Sequence, residues 1–161
     1  MKKILFIAFA TLFITIPAKG QNLLFIGDQS YPSSETYTLQ SYYTSDLNVL
    51  FAKDKDTPLF VVSMYSGSGI EINGSLIIYL NDGTVLKLKQ KENDFVDNTS
   101  KAVYNMTDDE LNQIKSSNIN TVRYTLEHKE IDSHSDSGNF TASNNGDSII
   151  DFPEIVSEFF D

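Results

Sequence analysis

The segment that most constrains this chain is residues 75–91, SLIIYLNDGTVLKLKQK, which reads as two β-strands folded back on each other at Asp82-Gly83. A two-residue hairpin loop needs positive φ at both central positions, and Asp-Gly takes up that geometry at low cost. The flanks agree, because residues 76–80 are aliphatic, β-branched or aromatic and Thr84 and Val85 continue in kind. Residues 76–80 are apolar on both faces and so belong in the middle of a sheet. In the second strand Leu86 and Leu88 point one way, while Val85, Lys87, Lys89 and Lys91 point the other, toward water. Those lysines would discourage edge-to-edge pairing if the strand stood at a rim.

Residues 1–20 read as a leader separate from the fold. Lys2 and Lys3 give a positive start, residues 4–17 are apolar and uncharged, and Ala18 and Gly20 place small residues ahead of a cut before Gln21. The stretch is short for a stable membrane span, and no cysteine is present for a lipid anchor. One domain, residues 21–161, exported to the periplasm or secreted, is the expectation. Loss of the leader removes three lysines and no acid, so the formal charge moves from −10 to −13. Such a surface repels phosphate and anionic lipid, which argues against a nucleic-acid partner. Without cysteine there is no disulfide framework and no cysteine-based zinc site, so a hydrophobic core must hold the fold.

From Gln21 onward the pattern is strand and turn. Residues 22–26 (NLLFI) form a short apolar strand ending at Gly27-Asp28, and residues 31–34 (YPSS) read as a loop, since residues before proline avoid the helical region. Residues 36–43 alternate as a strand with a partly wet tyrosine face. Residues 47–52 and 59–65 are strands joined by a polar connection, and the second is apolar on both faces, which predicts a place beside residues 76–80. After a turn at residues 92–94, residues 95–104 read as one broken strand. Thr107 with Glu110 makes a capping box, Met106 and Leu111 stand at staple positions, and Leu111 and Ile114 give a helix its narrow apolar stripe. Residues 119–131 are a long strand, and residues 139–143 return beside it. Pro153 sits near the start of a closing helix whose Ile155, Val156, Phe159 and Phe160 share a side. The predicted fold is α+β: a mainly antiparallel sheet or sandwich of about eight strands, with one short surface helix and a C-terminal helix.

The catalytic inventory is thin. His128 lies mid-strand beside Glu127, and Arg123, in the opposite phase, is expected to pair with a carboxylate across the sheet. Residues 66–69 (SGSG) lack one glycine of a nucleophile elbow and read as a turn. Asp132, His134 and Asp136 alternate like the start of a calcium loop, but Ser137 and Ser143 stand where that loop needs glycine and a bidentate glutamate. Asp108, Asp109 and Glu110 are explained by the positive end of a helix dipole. No cofactor motif stands in the chain. Tyr31, Tyr37, Tyr42 and Tyr43, with His128, are the candidate ligand contacts, because rings with a polar tip suit protein or carbohydrate surfaces.

Residues 46–50 (DLNVL), 74–85 (GSLIIYLNDGTV), 106–126 (MTDDELNQIKSSNINTVRYTL) and 139–144 (NFTASN), followed by a Phe-rich end, resemble a group of small exported bacterial proteins of unassigned function. The resemblance implies a single α+β domain in the envelope or outside the cell, and no catalytic motif travels with it. The expected function is a non-enzymatic binding or interaction module for a protein or glycan. The alternatives are a hydrolase-like enzyme using acidic residues with His128, and an acidic inhibitor of a secreted enzyme.

Overall fold

The computed structural model describes residues 22–66, 69–128 and 137–161. The described chain runs β1 (Asn22–Ile26), β2 (Gln29–Ser33), β3 (Tyr37–Ser41), β4 (Leu47–Asp54), β5 (Thr57–Tyr65), β6 (Ile70–Leu80), β7 (Val85–Val96), β8 (Thr99–Asn105), α1 (Asp108–Ser116), β9 (Ile119–His128), β10 (Gly138–Ser143) and α2 (Phe152–Phe160). Every strand pairing is antiparallel. Following the pairings from β3 through β4, β5, β8, β7, β6, β9 and β10 leads back to β3, so eight strands close into a barrel and not into a sandwich. Closure leaves these strands no free edge. The remaining two, β1 and β2, form a hairpin flap laid on the outside, tied to the barrel ladder through Ser33 opposite Ala52.

Alternation along each strand sorts side chains into an interior and an exterior set. Val49, Phe51, Phe60, Val62, Ile78, Leu88 and Tyr104 are among those that fill the inside, as one continuous cluster. Outside, Leu24, Ile26 and Tyr31 of the flap pack on Ala52, Leu59, Val61 and Val103 of the barrel wall, a second and smaller core. Both helices sit at the barrel end where β8 stops and β9 begins. Leu111 and Ile114 of α1, and Phe152 and Val156 of α2, join the interior cluster there. Thr107 accepts from the Glu110 N–H at 3.2 Å while the Glu110 carboxylate accepts from the Thr107 N–H at 2.8 Å, the expected capping box. Asp151 caps α2 by accepting from the Glu154 N–H at 3.2 Å.

Several sequence-based expectations change. The Asp82-Gly83 corner is one residue longer than the expected two-residue loop: Leu80 N–H donates to Thr84 O and Gly83 N–H to Leu80 O, and only Gly83 has positive φ, at +90°. Asp82 instead accepts from the Thr84 N–H at 2.9 Å, so Asn81, Asp82 and Gly83 together make the loop. Residues 59–65 do not neighbour residues 76–80; β5 lies between β4 and β8, and beyond its end Ser66 N–H donates to Asn98 O of the β7–β8 turn at 3.0 Å. Residues 92–94 are strand, not turn. The reversal comes at Asp97 and Asn98, both at positive φ, the geometry a tight hairpin requires.

Of residues 31–34, read as a loop, residues 31–33 supply the end of β2, because a proline whose missing N–H would fall between ladder bonds costs none of them. The strand at residues 36–43 stops at Ser41, and Tyr42 and Tyr43 fall in the following turn. β7 lies between β6 and β8, so its lysines guard no rim. The α1 helix, expected on the sheet surface, closes a barrel end. No helix among the described residues is long and apolar enough to cross a membrane.

Candidate functional site

β1 is the one strand paired along one side alone among the described residues that is also long enough to serve as a template. Its sequence, NLLFI, has none of the charges or prolines that normally guard an edge. The register decides which backbone groups are free. Leu23 stands opposite Pro32, which has no N–H, so that pair exchanges no ladder bonds, and the alternation of antiparallel pairing extends this to Phe25 opposite Ser30. The N–H and C=O groups of Leu23 and Phe25 therefore point away from β2, to the open edge. Their side chains face solvent, 53% and 62% exposed, while Leu24 between them is buried against the barrel.

Beside this edge lies a groove of about 640 Å³. One wall is residues 22–25, one end is residues 33–36, and the floor is Leu50, Val61, Ser63 and Lys101 on the outer face of β4, β5 and β8. The floor follows from register, since Leu50 stands opposite Val61 and Ser63 opposite Lys101. What holds the flap in place shapes the groove. At the flap base Ser34 N–H donates to Phe51 O at 2.8 Å, and the Phe51 N–H donates to Ser34 Oγ at 3.0 Å. At its tip Gly27 N–H donates to Asp94 Oδ2 at 3.2 Å.

A charged strap closes the far side. Lys91 Nζ lies 2.7 Å from Asp54 Oδ2, donates to Tyr31 Oη at 3.0 Å and sits 4.6 Å from the Tyr31 ring centre. The Tyr31 hydroxyl donates to Glu92 Oε1 at 2.7 Å. Burial would lower the Lys91 ammonium, but its bonds to Asp54 and Tyr31 outweigh that and raise it above its ordinary value. The bond from Lys91 holds the Asp54 carboxyl below its usual range, and burial pushes the Tyr31 phenol up.

The residues named from sequence scatter over three places. Tyr31 is buried under the flap as part of the strap. Tyr37, half-buried at the start of β3, turns its ring edge-on to Phe152 at 6.1 Å, and burial raises its phenol. Tyr42 and Tyr43 are exposed at the barrel end opposite the helices, and His128 on β9 lies at that same end, opposite Ile70. None of the five lines the groove. Arg123 lies between Ile77 and Thr141 and makes no ion pair with a described carboxylate, contrary to expectation. The alternation of Asp132, His134 and Asp136 falls outside the described residues. Among those described, no three His, Cys, Asp or Glu side chains converge as metal ligands.

Sequence reasoning passed over Leu23, Phe25 and Lys101. The signal for the first two was present, in an uncharged strand at the start of the fold; nothing local marks Lys101, which becomes part of a site only when β8 is placed beside β5. Neither a protein-family model, nor a curated protein, nor a solved structure matches this chain.

Proposed function

We propose that this protein is an exported, non-enzymatic binding module that takes an extended segment of a partner polypeptide as an added strand on β1. The observation that carries the reading is the unguarded edge of β1 facing a ready-made groove. An incoming strand gains ladder bonds from the N–H and C=O groups of Leu23 and Phe25. On its inner side it covers Leu50 and Val61, and on its outer side it lies against the Leu23 and Phe25 side chains. This is strand addition, in which main-chain bonds supply affinity and alternate side chains supply choice.

The test is selection of short random peptides on residues 21–161, followed by Phe25→Pro. That change removes an N–H pointing to the open edge and leaves the bonds of Leu24 to β2 intact, so the flap keeps its fold. Selected peptides are expected to lose affinity by about tenfold or more, with unchanged circular dichroism. Binding indifferent to Phe25→Pro and to Phe25→Lys, or no selectable peptide at all, overturns the reading.

A glycan-binding surface is a second reading, favoured by the adjacent Tyr42 and Tyr43 rings, 90% and 87% exposed. Glycan-array binding lost in Tyr42→Ala or Tyr43→Ala and kept in Phe25→Pro would support it over strand addition. His128, the histidine invoked for a hydrolase, lies outside the groove.

A further inference from the structure

We infer that the segment seated beside β1 carries an acidic side chain over Lys101 and a basic one beside Glu35, so that two fixed charges set its direction in the groove. This deepens the strand-addition reading and rests on it. The other polar residues lining the groove, Asn22, Ser33, Ser34, Thr36 and Ser63, are neutral.

Lys101 is half-buried on β8, with Ser63 on one side and Asp94 on the other. Asp94 is already engaged, its two oxygens accepting from the N–H groups of Gly27 at 3.2 Å and Phe95 at 2.9 Å. No described carboxylate lies within ion-pair distance of Lys101, whereas Lys91 and Lys115 are both paired. Lys101 is the one base among the described residues that line the groove. Laying a strand over it withdraws water from the ammonium, a cost that a carboxylate on that strand offsets and a neutral side chain does not. Glu35 is exposed at the opposite end, where the chain leaves β2, and forms no ion pair with a described base. A segment whose charges run the wrong way meets like charge at both ends, which is how an interface rejects the reversed register.

The experiment repeats the random-peptide selection on the native protein, Lys101→Glu, Glu35→Lys and the double charge swap, each confirmed folded by circular dichroism. The native protein is expected to enrich Asp or Glu at one fixed position and Lys or Arg at another. Lys101→Glu is expected to weaken those peptides about tenfold. The double swap is expected to enrich the opposite charge order, and native binding to weaken with added salt. Enrichment with no fixed acidic position, or affinity unmoved by Lys101→Glu, overturns the inference. The two layers fail separately: peptides that lose binding in Phe25→Pro but show no charge order sink only the charge inference, and binding indifferent to Phe25→Pro sinks strand addition itself.

Discussion

Inside the barrel, Phe51 is fully buried, its ring 5.3 Å from Phe60 and 6.2 Å from both Phe152 and Phe160. On the flap, Phe25, the same residue type and also mid-strand, is 62% exposed, and its N–H and C=O point away from β2. The barrel strands are bonded on both sides and share one interior, so each supports the others. The flap is bonded within itself, meets the ladder at Ser33 and Ala52, is tied at its tip by Gly27 to Asp94, and rests on a small apolar cluster and a polar strap. One region spends its apolar surface on folding. The other leaves some of it, Leu23 and Phe25, facing outward.

The sharpest way to break this contrast is Phe51→Ala, which should cost about 3–5 kcal/mol and lower the whole unfolding transition, because the hole opens in the shared interior. Leu24→Ala should cost about 2 kcal/mol and act locally. Hydrogen exchange should rise in residues 22–33 while β6 and β9 stay protected; equal loss in both regions would mean that the flap is an integral part of the barrel. Thr107→Ala should cost about 1 kcal/mol and behave in the opposite way, lowering the melting temperature while leaving flap exchange unchanged, since α1 belongs to the interior.

The smallest effect is on pH dependence. Asp54 sits below its ordinary 3.8, so its support for the strap is present above that value and lost as pH falls through the acid range. Lys91 and Tyr31 sit above their ordinary 10.5 and 10.0, so their support is present below those values and lost as pH rises past them. Proteolysis within residues 22–33 should therefore be slowest near neutral pH and quicken at both extremes, and Lys91→Met should flatten that profile.

Local chemistry made much of this legible in advance. The capping box at Thr107 and Glu110, the hairpin at residues 75–91, the apolar side of the last helix and the antiparallel character all follow from neighbouring residues. The misplacements share a cause. Tyr31-Pro32-Ser33 has the composition of a loop, and only contact with Lys91 and the barrel wall makes it a strand. The Asp97-Asn98 turn carries no glycine to mark it, although Asp and Asn are the non-glycine residues that most readily take positive φ.

By itself the sequence determined the reversing strands, the capped helix and the acidic balance, because propensity, capping and charge act over a few residues. Tertiary structure alone decided that β5 pairs with β8 instead of β6, that eight strands close, and that Leu23, Phe25, Glu35 and Lys101 meet around one groove. Those outcomes depend on which distant segments bury one another, and a periodicity of two residues says which face is buried but not against whom.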